Sequence, residues 1–497
     1  MLLVYLSLAR SGLDTLPDMH LPNLKTFVLS SNFLTEIAYK HLQYLPNLQN
    51  LVLDGNPLTS MFSKKNVNPP FIFPKLGHLD VSNVSFQKFY FENISMFTKL
   101  SSLNLSQSKI SELISTNGKM FPLTLQRLDV KGSPNIRFPQ QLLKPLSNLK
   151  EVWTDNFKLC CAANLPDDFE LTACHAPIDE LSSCESLLRS HLYRVFLTIF
   201  TILALSGNLA AFFSRSYFGK IEKGFDVLTL MLCVSDMLMG VYLAVIGIAD
   251  RVYMGSYLWK DETWRTSFYC TVAGFLCMVS NEVSALTVCL ITLDRLLVLR
   301  FPFSRLRFSK RMGTLVCGAV WAVGISLAMI PLMPQTRHWA FYSHNAICMP
   351  LPITRQDFPG HRYSFGLLIV FNLIVFVFIA VGQVLIYQSV QKNSLKNAED
   401  MSTRSGKEGS LARRLFTVAM SDFLCWFPVG LLGVLAALGV PVSGEVNVAM
   451  AIFVLPVNSA INPYLYTVNQ LLEKRRQKRE ERLIAAIAAK VKRQMAV

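Results

Sequence analysis

Charged residues are scarce in this chain. Only 16% of its 497 residues are charged and 52% are hydrophobic, a balance too apolar for an ordinary soluble protein. The formal charge of +15 suggests nucleic acid as one partner. Lysine and arginine, however, gather in alternate short loops and at the carboxyl end, as the orientation of membrane proteins requires. We therefore expect a membrane protein and no nucleic-acid partner.

Several kinds of chemistry are also missing from the sequence. No cysteine or histidine spacing matches a zinc site, and no nucleophile stands near a base. We therefore predict no catalytic residue, no metal ligand of that kind and no enzyme. The apolar segments lack the internal symmetry of a transporter. Met1-Leu2-Leu3-Val4 lacks the basic leader and the cleavage site of a signal peptide, so we expect a truncated start or a leader upstream.

Residues 1–158 repeat the pattern L-x-x-L-x-L-x-x-N-x-L. The best copies begin at Leu24 and Leu48, and poorer copies begin 21 to 28 residues apart at Leu3, Leu76, Leu100, Leu125 and Leu149. In such a repeat, each L-x-L is a short strand with buried leucines, and the asparagine (Asn32 or Asn56) bonds the backbone of its own turn. The pattern predicts a leucine-rich-repeat α/β solenoid of about seven repeats.

The residues between the buried leucines should line the concave face of this solenoid. Binding of a protein or peptide is the usual function of such a face, and the alternative is that these residues are only solvated. The candidate ligand contacts are Asp54, His78, Asp80, Arg127, Asp129 and Lys131. Three N-x-S/T sequences predict glycosylation, at Asn83, Asn93 and Asn104. Asn104 lies within a predicted strand on the concave face, so we expect poor occupancy there.

The eleven cysteines fall into two groups. Six lie in segments that we expect outside the cell, an even number that is compatible with three disulfides: Cys160, Cys161, Cys174, Cys184, Cys270 and Cys348. The first four belong to residues 159–190, which we interpret as a cysteine-rich cap and hinge. The other five lie in apolar helices and are predicted packing thiols: Cys233, Cys277, Cys289, Cys317 and Cys425.

Seven apolar runs follow within residues 191–469, near 191–214, 225–249, 270–299, 312–334, 363–388, 412–438 and 444–467. They predict an all-α bundle of seven transmembrane helices. Because the lysines and arginines favour alternate loops, we expect the amino terminus outside and the carboxyl terminus in the cytoplasm. Residues 470–497 form a basic tail that either lies on membrane lipids as an amphipathic helix or is simply solvated.

The third apolar run carries the strongest positional signal. From Cys270 to Arg295 there are 25 residue steps, which cover roughly 37 Å as a helix and exceed a hydrocarbon core of roughly 30 Å. Cys270 and Arg295 should therefore lie at opposite membrane faces. Cys348 is the candidate partner of Cys270. Asp294 and Arg295 have two possible states: they form an ion pair that locks the arginine, or the arginine is free to meet a partner.

Polar residues inside the runs each require an explanation, since a charge at a helix centre costs about 2.5–3.5 kcal/mol on insertion scales. We predict that six of them form one interior network able to hold a sodium ion: Asn208, Asp236, Ser284, Asn458, Ser459 and Asn462. Scattered helix–helix hydrogen bonds are the alternative.

One group of motif residues falls in each span except the fifth: Gly207-Asn208, Ser235-Asp236, Asp294-Arg295, Trp321, Cys425-Trp426-Phe427-Pro428 and Asn462-Pro463-Tyr464-Leu465-Tyr466. This set resembles the signature of rhodopsin-class G-protein-coupled receptors. Leu296 stands where that class usually has tyrosine, and the fifth span lacks a proline and has Asn372 instead. The departure in the fifth span, Glu282 and Asp422 are typical of the leucine-rich-repeat-containing receptors of the class, and the repeats agree with them. The short link and Asp179–Glu185 look most like the relaxin-receptor branch.

This resemblance implies a receptor for an extracellular relaxin- or insulin-like peptide that acts on a heterotrimeric G protein at the plasma membrane. A glycoprotein hormone, another protein ligand, or constitutive activity without a ligand is the alternative. The resemblance assigns the activation switch to Asp294, Arg295, Asp422, Trp426, Pro428, Asn458, Asn462, Pro463 and Tyr466. Asp422 is expected to bond Asn458 or Asn462 in the inactive form, so that Asp422→Ala should raise basal signalling.

Overall fold

A computed structural model describes residues 3–37, 39–61, 73–85, 88–90, 94, 97–108, 110–114, 121–133, 136–177, 179, 181–218, 221–301, 308–343, 345–349, 359–396, 427–440, 442–464 and 479. The chain divides into two compact units, Met1–Asp179 and Glu180–Val497.

The first unit is built on an eight-stranded parallel sheet. Its strands, in spatial order, are β1 (Tyr5–Ser7), β2 (Thr26–Val28), β4 (Asn50–Val52), β6 (His78–Asp80), β8 (Ser102–Asn104), β10 (Arg127–Val130), β11 (Glu151–Thr154) and β12 (Cys174–His175). Two small parallel sheets pair β3 (Glu36–Ile37) with β5 (Ser60–Met61) and β7 (Lys88–Tyr90) with β9 (Glu112–Ile114). A single turn of helix, α1 (Tyr39–Leu42), follows β3.

The repeat leucines form one continuous core, as the pattern predicts. Leu51, Leu79, Leu103 and Leu128 occupy equivalent positions on neighbouring strands, and each is completely buried. The leucine-rich-repeat solenoid is thus present in this unit.

The asparagines of the repeats bond more than their own turns. Asn32 Nδ2 donates to Leu29 O of its own turn at 2.9 Å and also to Leu8 O of the preceding repeat at 2.8 Å. Its Oδ1 accepts from the backbone N–H of Leu13, also in the preceding repeat, at 3.1 Å. A buried amide therefore ties two repeats together, a role that the prediction of bonding within one turn had missed.

The repeat array ends in a cap of short elements. Three 3₁₀ turns, Phe157–Cys160, Ala162–Asn164 and Leu171–Ala173, lead into β12, and a disulfide joins Cys160 to Cys174. β12 pairs with β11 and adds an eighth strand to the seven expected from the repeats. Cys161 and Cys184 also take part in disulfides.

The second unit is helical. Its helices are α2 (His191–Phe218), α3 (Gly224–Tyr253), α4 (Tyr257–Arg265), α5 (Phe268–Arg300), α6 (Lys310–Met329), α7 (His361–Ser364), α8 (Asn372–Lys396), α9 (Phe427–Ala437), α10 (Gly444–Ala449) and α11 (Leu455–Pro463). The 3₁₀ turns are Ile330–Leu332, Arg337–Trp339 and Phe341–Ser343. Two π-helical segments, Phe365–Phe371 and Met450–Val454, continue α7 into α8 and α10 into α11.

Five helical stretches in the described residues are long and apolar enough to cross a membrane: His191–Tyr217, Gly224–Tyr253, Phe268–Arg300, Lys310–Leu332 and His361–Ser389. They coincide with the first five predicted spans. Phe427–Ala437 and Met450–Pro463 are shorter apolar helices within the sixth and seventh predicted spans. Residues 412–426 of the sixth span and 465–467 of the seventh lie outside the described residues. The basic tail, apart from Arg479, also lies outside the described residues.

The third span, α5, lies at the centre of the unit. It is 72% buried across its most apolar stretch, the largest share among the five. Ser267 caps its amino terminus by accepting the N–H of Cys270, and Cys270 is joined to Cys348 by a disulfide. The predicted pair of cysteines is therefore present at the start of this helix.

Candidate functional site

Asp236 is the centre of a buried polar cluster between α3, α5 and α11. Its carboxylate is completely buried, and three side chains donate hydrogen bonds to it. Ser284 Oγ and Ser459 Oγ bond Oδ1 at 3.0 and 3.1 Å, and Asn462 Nδ2 bonds Oδ2 at 3.1 Å. Each donor is neutral, so these hydrogen bonds leave the carboxylate charge without a compensating cation.

Asn208 joins this cluster through the backbone of α11. Its Nδ2 donates to Ser459 O at 2.9 Å, which ties α2 to the residue that also bonds Asp236. Gly207 permits this approach, because a Cβ at that position would lie 2.8 Å from Pro463 Cγ. The close contact between α2 and α11 thus explains why glycine and asparagine stand side by side at positions 207 and 208.

Several oxygen atoms near this cluster lack a hydrogen-bond partner. In the described part of the chain, the amide oxygens Oδ1 of Asn208, Asn458 and Asn462 are buried and have none. Buried oxygens beside a buried carboxylate suit a hard cation, which prefers oxygen ligands. The donor set therefore fits the predicted sodium ion.

A second buried carboxylate lies on α5. Glu282 is completely buried, and Asn372 Nδ2 at the start of α8 donates to its Oε1 at 3.2 Å. The same Nδ2 also donates to Leu367 O within the π-helical segment at 3.2 Å. The asparagine of the fifth span therefore stabilises both a buried acid and an irregular helix.

Asp294 and Arg295 form an ion pair near the end of α5. Arg295 Nη2 lies 3.2 Å from Asp294 Oδ2, and both side chains are largely buried. The Arg295 guanidinium also lies over the ring of Phe225 on α3, with Cζ 3.8 Å from the ring centroid. Arg295 is therefore held by an ion pair and by an aromatic ring in this structure.

At the other end of the bundle, Arg194 and Asp250 hold the chain that precedes α2. Arg194 Nε donates to Asp250 Oδ2 at 2.7 Å, and Arg194 Nη2 donates to Leu188 O at 2.6 Å. Asp250 Oδ1 accepts the Leu188 N–H at 2.8 Å. Both backbone groups of one buried residue are thus bound by one ion pair, which we term the hinge clamp (Arg194, Asp250 and Leu188).

The loop around the Cys270–Cys348 disulfide is fastened to the same end of the bundle. Tyr242 Oη donates to Ile347 O at 2.9 Å, and Trp264 Nε1 of α4 donates to Ala346 O at 2.7 Å. Residues 346 to 349 are all buried.

The solvent face of the eight-stranded sheet, which corresponds to the predicted concave face, carries the candidate ligand contacts. His78 and Asp80 lie on β6, and Arg127 and Asp129 lie on β10. Lys131 directly follows β10, and Asp54 is the second residue after β4. Asp80 accepts hydrogen bonds from Ser82 Oγ at 2.7 Å and from Asn104 Nδ2 at 3.0 Å. The sheet therefore places four of the six predicted residues on one face, on β6 and β10, which are separated by β8.

Family membership follows from the comparison of this chain with known proteins. The model of the 7 transmembrane receptor (rhodopsin family) matches residues 207–466, more than half of the 497 residues. The chain belongs to this receptor family. A leucine rich repeat model matches residues 2–58 of the same chain. It is therefore a multi-pass membrane receptor that also carries leucine-rich repeats.

Three known receptors are similar to this chain over more than half of its length. The G-protein coupled receptor GRL101 of Lymnaea stagnalis is 36% identical over 332 residues, 66% of this receptor and 29% of that protein. Relaxin receptor 2 of Canis lupus familiaris is 33% identical over 355 residues, 69% of this receptor and 47% of the relative. The lutropin-choriogonadotropic hormone receptor of Sus scrofa is 29% identical over 302 residues, 59% of this receptor and 41% of the relative. The aligned part of this receptor spans less than half the length of each of these relatives.

Sequence reasoning missed three residues of the solvent face: Glu151, Trp153 and His175. Arg127 Nε bonds Glu151 Oε2 at 2.6 Å, and Trp153 Nε1 donates to Glu151 Oε1 at 2.9 Å. These two hydrogen bonds lower the pKa of the Glu151 carboxyl, with the contribution of Trp153 the larger. His175 stacks on Trp153 with the ring centroids 3.9 Å apart, and Lys131 Nζ lies 4.3 Å from the Trp153 ring centroid. The 24-residue repeat from Arg127 to Glu151 is the signal that would have found the first two.

The potential glycosylation sites differ in environment. Asn83 is exposed and adopts a positive φ of 51° in the turn after β6. Asn104, in contrast, is half-buried on β8, where its Nδ2 bonds Asp80 and its Oδ1 accepts the Ser106 N–H at 3.0 Å. Asn93 lies outside the described residues.

The remaining parts of the predicted switch are only partly described. Asn458 and Asn462 are buried on α11 and Pro463 ends that helix, while Pro428 lies in the first turn of α9. Asp422, Trp426 and Tyr466 lie outside the described residues, as does Cys425. The contact predicted for Asp422 therefore stays a prediction. The hinge clamp was not predicted, although two charges near the ends of apolar spans are a signal that sequence reasoning could have used.

Proposed function

We propose that this receptor binds an extracellular peptide of the relaxin or insulin-like class on the solvent face of its repeat sheet and acts on a heterotrimeric G protein. The observation that carries this proposal is the joining of a repeat solenoid to a rhodopsin-family bundle in one chain. The similarity to relaxin receptor 2, at 33% identity over 69% of this chain, supports the ligand class. The 29% identity to a lutropin receptor supports a glycoprotein hormone as the second candidate.

The proposed orientation places the solenoid outside the plasma membrane and the carboxyl terminus in the cytoplasm. Disulfides support it, since Cys160–Cys174 in the repeat unit and Cys270–Cys348 at the start of α5 require an oxidising compartment. The distribution of lysine and arginine among the loops supports the same orientation.

The proposed mechanism is a population shift between two packings of the helices. A ligand that binds one packing more tightly than the other moves the equilibrium by the difference in binding free energy. The ion pair of Asp294 and Arg295 at 3.2 Å belongs to the resting packing in this proposal. Release of Arg295 would make a cation available to the G protein at the cytoplasmic face.

A sodium ion is proposed as a stabiliser of the resting packing. Asp236 would supply the charge, and Ser284, Ser459, Asn458 and Asn462 are the candidate oxygen ligands around it, with Asn208 as their support. When bound, the ion would compensate the buried carboxylate charge.

The test uses the full receptor expressed at the cell surface and a panel of synthetic relaxin-like and insulin-like peptides, with a lutropin-type glycoprotein hormone as a separate arm. We expect second-messenger signalling for at least one peptide, and no signalling for Arg295→Ala at equal surface expression. Asp80→Ala should weaken the response by reducing ligand affinity at unchanged expression. A response to the glycoprotein hormone alone would contradict the peptide proposal, and signalling that persists in Arg295→Ala would contradict the role of the arginine.

A further inference from the structure

The contact between Arg295 and Phe225 joins two different helices. Arg295 lies near the end of α5, whereas Phe225 is the second residue of α3. The guanidinium carbon lies 3.8 Å from the ring centroid, within the range of a cation–π interaction. The Arg295 side chain is only 15% exposed, so water competes weakly with the ring.

The Asp294 contact is different in kind. Asp294 and Arg295 are adjacent residues of α5, and a rigid displacement of that helix moves both together. Their ion pair therefore does not by itself oppose a movement of α5 relative to its neighbours. The Phe225 ring belongs to another helix, so the same displacement pulls the guanidinium off the ring.

Phe225 is held firmly enough to act as a fixed surface. The N–H of the preceding Gly224 donates to Phe308 O at 3.0 Å, which attaches the start of α3 to the chain just before α6. A Cβ at Gly224 would lie 2.6 Å from Phe308 O, so only glycine permits this approach. The backbone N–H of Lys223 donates to Asp226 Oδ2 at 3.0 Å, which caps the first turn of α3. Phe225 packs in the apolar cluster that contains Phe308.

We propose that Phe225 is a positioning residue that restrains Arg295 in its resting arrangement, and that loss of this cation–π contact favours the packing in which Arg295 is released. The proposal rests on the proposed function for its signalling consequence but not for the contact itself. From the usual strength of a cation–π contact, its loss should shift the equilibrium roughly 2- to 30-fold toward release. A purely apolar role for Phe225 would instead be filled by any side chain of similar volume.

The variants separate these two roles. Phe225→Leu keeps an apolar side chain and removes the ring, while Phe225→Trp provides a stronger cation–π surface. Phe308→Leu is the matched control, since it removes an aromatic ring from the same apolar cluster. All variants are compared as full-length receptors at equal surface expression, so that misfolded chains are recognised by their absence from the surface.

The contact is measured by NMR of purified receptor labelled with 15N-arginine. The Arg295 side-chain N–H resonance should show the ring-current shift of Phe225 and slow exchange with water. Phe225→Leu should remove the shift and speed the exchange roughly 2- to 30-fold, whereas Phe225→Trp and Phe308→Leu should retain slow exchange. Unchanged exchange in Phe225→Leu would overturn the proposal, whether or not the receptor signals.

Basal signalling is the second measurement. It should rise in Phe225→Leu, stay at the wild-type level in Phe308→Leu, and stay level or fall in Phe225→Trp. In a receptor that responds to its ligand, an equal rise in both leucine variants would show that packing loss is the cause and overturn the restraining role. A receptor that activates no G protein under any condition would refute the proposed function, while the exchange measurement would still decide on the contact.

Discussion

Breaking the hinge clamp should destabilise the helical unit strongly. Asp250 is almost completely buried and Arg194 nearly so, with exposed side-chain fractions of 2% and 12%. Asp250→Ala would leave a buried guanidinium without its carboxylate and the Leu188 N–H without an acceptor. Removing one partner of a buried ion pair costs about 3–5 kcal/mol, and a buried backbone N–H without an acceptor costs about 1–3 kcal/mol.

Thermal unfolding of purified full-length receptor is the appropriate assay. We expect Asp250→Ala to lower the Tm by on the order of 10 °C. Arg194→Ala should lower it by a similar amount, because it removes both the charge and the donor to Leu188 O. Replacing both residues with apolar ones should restore part of the loss, since neither charge is then left buried alone. Arg251→Ala is the matched control: it removes an exposed charge next to Asp250 and should change stability by less than about 0.5 kcal/mol.

The reasoning depends on coupling between the two charges. If the losses of Asp250→Ala and Arg194→Ala simply add in the double variant, the coupling energy is near zero and the two residues do not act as one clamp. A Tm within 1 or 2 °C of wild type for Asp250→Ala, on the order of the Arg251→Ala effect, would equally refute the estimate.

Three further predictions concern other sites. Sodium chloride should raise the Tm of the wild-type receptor above its value in choline chloride at equal ionic strength, and Asp236→Asn should abolish the difference; an equal response of both would contradict a sodium site. Because the pKa of Glu151 is lowered in the folded state, its stabilising contribution is present above the ordinary carboxyl pKa and is lost as the pH falls through the lowered value. Trp153→Phe should raise that pKa in an NMR titration, and an unmoved titration would argue against the hydrogen bond as its cause. Asn83→Gln should remove a glycan and Asn104→Gln should not, judged by the mass shift on enzymatic deglycosylation; a shift of equal size in both would show that the Asn104 hydrogen bonds do not prevent modification.

Local periodicity accounts for what could be predicted. The seven L-x-L strands lie where the repeats place them, because the side-chain alternation of a strand and the stacking of equal repeats are short-range properties. The five long spans coincide with their apolar runs because the membrane requires a minimum apolar length. Ser284 and Ser459 are both hydrogen-bonded to Asp236 in the structure, since buried polar side chains must find partners in an apolar bundle.

Contacts between residues that are far apart in the sequence could not be predicted from the sequence. β12 has no leucine repeat of its own and becomes a strand because it pairs with the edge of β11, held by the Cys160–Cys174 disulfide. The sequence shows that Arg194 and Asp250 are charged near the ends of two spans, but only the packing of α2 against α3 brings them to 2.7 Å.

The sequence by itself determined the repeat solenoid, the apolar spans and the types of residue at the polar positions, because these depend on spacing along the chain. Only the tertiary structure decided which ring lies against Arg295 and which backbone groups Asp250 and Arg194 hold. Such contacts depend on the relative rotation and depth of separate helices, which no short-range pattern specifies.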